Sequence, residues 1–440
     1  MKDKIKVLVI PSDTMGVGHF RSIWPAIEIN KSFGDEIDVE INHKPNIANL
    51  AYFQSFDIIH FHRHIGPYEE SAEFFPKIKE AGVKLIMDID DFWEPPSTHP
   101  LYEIAKRDKL SEKISGNLSL VDCVTTTTEV FANEIRKHND NVYVIPNALN
   151  MENKMWTGEL NENKTDRCRI SWIGGSSHLH DLELMRPGFN KLWNDKELED
   201  KFQIIMCGFD TRGTITEMGP NGEGATRAIK PHETVWLKFE EIFTANHKGK
   251  EKDPEYYKWL GKIKKAKSGD YKEEQYMKDY IRRWTLPLTK YGTHYDYADV
   301  CLAPLVDVYE DRIVHTKKDG SQSIQIEKKR HTFNEVKSEL KIIEAGMKGK
   351  VLIAQDFGIY KELIEDGVTG LLVKNDKKDW YKHMKTVIKD PIYRQELADN
   401  LHNFVKEKYD ISHVTADRVK FYKNILKETD KPVKELEKVK

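Results

Sequence analysis

Only four cysteines occur in the 440 residues, Cys123, Cys168, Cys207 and Cys301. They lie far apart and in no metal-ligand spacing, so a cysteine metal centre is excluded. Three of them sit in apolar runs (VDCVTT, IIMCGF, DVCLAPL), where a thiol acts as a small buried hydrophobe. No apolar run reaches membrane-span length, and the N-terminus enters a strand directly, without a signal peptide. A reducing cytoplasm fits these absences best, with at most peripheral contact with a membrane. Charge of one sign is lacking too. The 69 basic and 72 acidic residues leave a formal charge of −3, which gives no general affinity for nucleic acid or anionic lipid. Internal repeats and low-complexity tracts are also missing.

With 32% charged and 39% hydrophobic residues, the composition is that of a soluble globular protein. The length exceeds one ordinary core and predicts two domains. In the first half, IKVLVI (5–10), IDVEIN (37–42), DIIHFH (57–62), VKLIMDI (83–89), VDCVTTT (121–127) and NVYVIP (141–146) read as strands. Helical patterns lie between most of them. A second series follows the polar linker 150–168: RISWIG (169–174), FQIIMCG (202–208), DVCLAPL (299–305), KVLIAQ (350–355) and GLLV (370–373). Buried strands alternating with helices imply an α/β fold with a parallel sheet in each half. The charged, Gly-punctuated stretch 211–283 reads as a largely helical insertion. Its Tyr256, Tyr257, Trp259, Tyr271 and Tyr276 offer an acceptor-binding surface, against the plainer reading of a solvated helical hairpin.

Three strand-terminal loops carry candidate chemistry. Gly16-Val17-Gly18-His19-Phe20-Arg21 superficially suggests a dinucleotide fingerprint, but Arg21 stands at the third glycine position. No acid caps the second strand, which argues against NAD. The two glycines still permit close backbone approach to a ligand that His19 and Arg21 would face. Asp88-Ile89-Asp90-Asp91 ends a strand, and its acids could bind a metal, accept protons or cap the next helix. Gly174-Gly175-Ser176-Ser177-His178 precedes a helix in a phosphate-cradle pattern, although Asp181 alone could be an N-cap and His178 a turn residue.

HTFNEVKSELKIIEAGMKGKVLIAQDFG (331–358) carries the most information. At 100° per residue, Val336, Leu340, Ile343 and Met347 share one helix face, predicting a single helix over 336–347 packed on a sheet. Lys337, Lys341 and Glu344 share another face, with Ser338 beside it. Cations and a hydroxyl near a helix start suit a phosphate, and a carboxylate two turns on suits a ribose diol. Plain ion pairs on a solvated face are the competing reading.

Together GVGHFR (16–21), DIDDFW (88–93), VIPNALN (144–150), WIGGSSHLHDL (172–182), YADVCLAPL (297–305), FNEVKSELKIIEAGMKGK (333–350) and IEDGVTGLLV (364–373) resemble, in order, a retaining, family-4-like glycosyltransferase of GT-B fold. The resemblance implies two Rossmann-like domains facing a central cleft. It places an acceptor-side domain at 1–148, a nucleotide-sugar domain at 165–405 with the 211–283 insertion, and a helix at 406–440 crossing back. Glu344 matches the second acid of the family's Glu-x7-Glu motif, which holds the nucleotide ribose. Val336 stands where the first acid should be, and Asn334, Lys337, Ser338 and Lys341 resemble a subgroup with a Lys-Ser pair instead. The positions of the usual Arg-Lys phosphate clamp hold Gly175, Ser176, His178 and His180, with Lys337 as the clamp's substitute and Gly174 beside them in the donor-binding loop. Asp90 and Asp91 stand where the family often has His-Asp, and with His19 they are the catalytic candidates. Gly16, Gly18 and Arg21 form the acceptor-side loop. The implied reaction moves a sugar from a nucleotide-diphosphate sugar to a hydroxyl, with retention and without a metal or other cofactor. A glycan, a lipid-linked sugar, a protein or a modified nucleobase would accept it. A GT-B sugar-nucleotide epimerase and an inactive nucleotide-sugar binder are the alternatives.

Overall fold

A computed structural model describes residues 4–158, 165–210, 213–218, 224–230, 233–244, 275–277, 279–316, 322–374 and 378–427. The chain forms two compact units. The N-terminal unit comprises Met1–Asn150, Glu335–Leu340 and Glu407–Lys440; the C-terminal unit comprises Met151–Asn334 and Lys341–Lys406.

In the N-terminal unit, β1 (Ile5–Ile10), β2 (Ile37–Ile41), β3 (Ile58–His62), β4 (Lys84–Asp88), β5 (Cys123–Thr126) and β6 (Val142–Val144) form one parallel sheet in the order β2-β1-β3-β4-β5-β6. Its strands are apolar at successive positions because both faces are covered. Val7, Val9, Ile58 and Ile86 enter one core, while Leu8, Ile10, Ile59 and Met87 enter the other. The first of these cores is completed by the helix Ile411–Lys427 through Ile411, Val414, Phe421, Tyr422 and Ile425.

The C-terminal unit contains β7 (Cys168–Ile173), β8 (Phe202–Phe209), a hairpin of β9 (Thr214–Met218) and β10 (Gly224–Ala228), β11 (Gln275–Met277), β12 (Tyr280–Trp284) and β13 (Val300–Ala303). A second hairpin of β14 (Val308–Thr316) and β15 (Gln322–Arg330) follows, then β16 (Val351–Gln355) and β17 (Leu371–Val373). The main sheet runs β11-β12-β8-β7-β13-β16-β17, parallel except at the β11 edge.

All eleven strands expected from apolar runs are present, and the differences lie elsewhere. The 211–283 stretch is not a largely helical insertion throughout. The helix Val235–Thr244 puts Trp236, Phe239, Ile242 and Phe243 into the main core, and β12 extends the sheet beside β8. Residues 245–274, with Tyr256, Tyr257, Trp259 and Tyr271, lie outside the described residues, as does the side chain of Tyr276. The helix expected over 336–347 is also broken. A short helix, Thr332–Glu335, precedes a non-helical stretch, and the second helix begins only at Leu340 and ends at Met347. Val336 fits the helical spacing but packs in the N-terminal unit's core, so it cannot belong to the same helix face as Ile343. All four cysteines are buried thiols that form no disulfide among the described residues. No helix among the described residues is long and apolar enough to cross a membrane.

Candidate functional site

In open parallel sheets, ligands bind at the C-terminal strand ends where the strand order reverses. In the C-terminal unit that point lies between β7 and β13, since β8 and β12 lie on one side and β16 and β17 on the other. The loop 174–178 leaves β7 there. A Cβ on Gly174 would come within 2.6 Å of the Trp172 ring, whereas the space around Gly175 is open. Gly175 and Ser176 are exposed. His178 Nδ1 lies 2.8 Å from Asp181 Oδ2. Asp181 is not an N-cap: it lies inside the short helix Leu179–Glu183, whose N-cap residue is His178. Its Oδ1 accepts hydrogen bonds from the Val306 N–H and the Asn334 side-chain amide, both at 2.8 Å. Asn334 also donates to the Val306 carbonyl at 3.1 Å. Asn334 is therefore a buried strut that ties the exit of β13 to the helix Leu179–Glu183 after β7, with its amide hydrogens spent on the protein.

Lys341 and Glu344 lie on the helix that follows, at the same end of the sheet. The Glu344 carboxylate is 3% exposed, accepts the Tyr295 hydroxyl, and lies 3.5 Å from Lys341 Nζ. Lys341 also reaches the Tyr291 hydroxyl at 3.1 Å. Burial opposes the lysine's charge, but Tyr291 and Glu344 outweigh it and its pKa stands above the usual lysine value. Burial, with the Glu344 charge nearby, pushes the Tyr291 hydroxyl up to about 12. The pair is thus anchored by two tyrosines that the sequence reading did not single out.

Lys337 and Ser338 do not continue this stripe. They lie in the non-helical stretch that belongs to the N-terminal unit, and Lys337 Nζ is 3.6 Å from Asp91 Oδ1. The three ionic positions and the Ser338 hydroxyl expected on one helix are therefore divided between two units.

In the N-terminal unit the order reverses between β1 and β3. Gly16–Gly18 is helical, and Gly18 is required for packing, since a Cβ there would fall 1.9 Å from the Asp13 carbonyl oxygen. Asp13 Oδ1 accepts from the Met15 and Gly18 N–H groups at 2.7 and 3.1 Å. His19 Nδ1 lies 2.8 Å from its own helix's Met15 carbonyl, and its ring packs edge-on against Trp24. Arg21 does not face a ligand, contrary to the sequence expectation. It is 1% exposed, its Nε and Nη2 donate to Asp88 at 2.9 and 2.7 Å, and its Nη1 donates to the Ile145 carbonyl at 2.7 Å. Burial alone would raise the Asp88 carboxyl, but Arg21 and the nearby His60 and His62 hold it at about 2.

The three acids at the end of β4 and just beyond it do not converge, and no group of three or more potential metal ligands occurs among the described residues. Asp88 faces Arg21. Asp90 Oδ1 lies 3.0 Å from His62 Nε2 and 3.4 Å from Arg63 Nη2. Asp91 is the most exposed of the three and sits between Arg63 (3.5 Å) and Lys337. Burial opposes the Asp90 charge, but the His62 hydrogen bond and the Arg63 and Arg21 charges keep its pKa well below the usual range. His62 ends β3 and Arg63 follows it, and neither is among the candidates named from the sequence. The signal was the alternation in DIIHFHR, which puts His60 and His62 on one side of a strand ending at the switch point. The buried His62 Nδ1 has no hydrogen-bond partner.

Residues 340–404, which begin with the Lys341–Glu344 helix, match the family model for glycosyl transferases group 1. No curated protein matches the sequence. Among solved structures, Anabaena HepE in complex with UDP is 10% identical, with 96% of this chain and 100% of that one covered and a TM-score of 0.56. Sucrose-phosphate synthase from Thermosynechococcus elongatus is 12% identical, covering 97% and 100%, with a TM-score of 0.56. A glycosyltransferase from Rickettsia africae is 14% identical, covering 97% and 99%, again at 0.56. The fold is GT-B. The glycosyl transferases group 1 segment thus lies in the C-terminal unit of a GT-B-fold chain.

Proposed function

We propose that this GT-B chain transfers a sugar from a nucleotide-diphosphate sugar to a hydroxyl acceptor, with retention and without a metal. The observation that carries the reading is the position of Lys341 and Glu344. They open the group 1 segment at the sheet end where β7 and β13 diverge, beside the Asp181–Asn334 strut. Glu344 accepts hydroxyl protons from the nucleotide ribose, and the backbone of 174–178 receives the diphosphate. Gly175 and Ser176 let the phosphates approach closely, and His178 adds a polar edge. Lys341 supplies a fixed positive charge, which stabilises a leaving diphosphate electrostatically. Lys337 and Ser338 are the remaining phosphate candidates. In the N-terminal unit, Asp90, held ionised by His62 and Arg63, supports a positive anomeric carbon or orients the acceptor hydroxyl. Asp91 and His19 are secondary candidates there. A phosphate oxygen of the leaving group takes the acceptor's proton, which is compatible with retention. The HepE structures hold UDP and UDP-glucose, so a UDP-sugar is the first donor to test.

The decisive variant is Glu344→Gln, which keeps the volume and an acceptor for the Tyr295 hydroxyl. UDP affinity measured by calorimetry should fall at least tenfold, about 1.4 kcal/mol. Unchanged affinity would remove Glu344 from the donor site. UDP binding without release of nucleotide for any acceptor would favour an inactive binding protein instead.

A further inference from the structure

The C-terminal unit has a cavity far from the strand ends just described. Asp299 directly precedes β13, and Lys350 directly precedes β16, so both mark the N-terminal edge of the parallel sheet. They line a cavity of about 570 Å³ whose other wall is one face of the helix Pro391–Lys408, through Arg394, Asp399 and His402. At about 3.3 Å per residue, strands of four to six residues separate this edge from the other by roughly 15 Å.

The walls are fixed. A Cβ on Gly346 would lie 2.5 Å from Val405, so the helices Leu340–Met347 and Pro391–Lys408 meet backbone to side chain. His402 Nδ1 lies 2.9 Å from the Gly346 carbonyl and donates to it, which leaves Nε2 as the ring's other polar atom. The turn at Gly349, with φ of 59°, leaves open space where a side chain would stand.

Most of the charge in the lining is internally matched. Asp299 accepts from the Arg169 side chain at 2.9 and 3.2 Å. Lys348, which is 3% exposed, donates to Asp296 at 2.7 Å and to the Gly158 carbonyl at 2.8 Å. Lys350 is different: it has no carboxylate within ion-pair distance among the described residues. Arg394 spends Nη1 on the Val387 carbonyl and also hydrogen-bonds the Cys168 thiol, and it has no carboxylate within ion-pair distance among the described residues. Asp399 is the acid left to offset these two cations, and the Gln395 amide already donates to it. A polar cavity with surplus positive charge and fixed walls suits a small dianion.

We infer that this cavity is a second ligand site, which takes the phosphate group of a small phosphomonoester between Lys350, Arg394 and His402. The inference is independent of the donor assignment, because none of these residues is at the other end of the sheet. The test is calorimetric titration of the full chain with inorganic phosphate, with UDP present at saturation. Wild-type protein should bind phosphate saturably. Lys350→Ala, a change at a half-buried position outside the core, should weaken that binding at least tenfold, and Glu344→Gln should leave it unchanged. Absence of saturable binding would overturn the site, and so would binding that Lys350→Ala does not alter. If UDP itself fails to bind, the donor assignment falls, while the Lys350 comparison still decides the second site.

Discussion

Arg21→Ala should destabilise the N-terminal unit by about 3–5 kcal/mol, the usual result of leaving one partner of a buried ion pair uncompensated. Both side chains are 1% exposed, and the guanidinium fork meets both Asp88 oxygens. The Thr125 hydroxyl also donates to Asp88 at 2.6 Å, but it carries no charge. Arg21→Lys should recover only part of the loss, because an ammonium cannot reach both oxygens and the Ile145 carbonyl from one place. Chemical denaturation followed by circular dichroism measures the effect. The pH dependence has a definite sign. Asp88 has a folded pKa of about 2, below its ordinary value of 3.8. Its contribution is therefore complete above pH 3.8 and is lost as the pH falls towards 2. In Arg21→Ala that acid-limb contribution disappears, so the deficit relative to wild type narrows in acid. A deficit below about 1 kcal/mol at neutral pH would show that the pair does not carry the load assigned to it.

Glu339→Gln should have the opposite effect and stabilise the protein at neutral and alkaline pH. Glu339 lies in Glu335–Leu340, the short segment that the N-terminal unit takes from the second half of the chain. Its Oε1 accepts the Asn147 N–H at 2.6 Å, but Oε2 is buried without a partner. Burial raises its pKa from 4.5 to about 7, against the opposing pull of the Asn147 N–H and the Arg21 charge. A carboxyl raised in the folded state contributes fully below pH 4.5, and that contribution is lost as the pH rises through about 7. The wild type should therefore lose about 3 kcal/mol across that window. Glutamine keeps the acceptor for Asn147 and carries no charge, so the variant should be flatter over the same range. Unfolding midpoints at pH 5 and pH 8 test this, and equal slopes for the two proteins would refute it.

These two positions also show what the sequence made legible. Strand positions followed from apolar runs, because a parallel sheet covered on both faces has no polar side. The order of the strand-end motifs then gave both units and the sheet ends at which Asp90, Ser176 and Glu344 stand. Charged residues in buried places were invisible to the same logic. Arg21 looked like a loop ligand because its partner Asp88 is 67 residues away. β12 was missed because YIRRW interrupts its apolar run with Arg282 and Arg283, which Glu240 and the Tyr297 ring receive. Val336 misled in another way. Its spacing satisfied a helix period, and spacing does not record which of two cores a side chain enters. Tyr295, which holds Glu344, comes from a 3-10 segment, Leu288–Tyr297, with no period of its own to flag it.

The N-terminal sheet ends its core with side chains from Ile411–Lys427. His60, on the central strand β3, lies 2.6 Å from the Tyr422 hydroxyl. A ribosome therefore makes all six strands of this sheet long before it makes the helix that covers one face. The C-terminal unit needs nothing beyond residue 406 and can close first. The N-terminal unit, translated before the C-terminal one, is thus completed after it, with an apolar sheet face waiting for Ile411–Lys427. That interval exposes the growing polypeptide to aggregation until Ile411–Lys427 docks on the sheet.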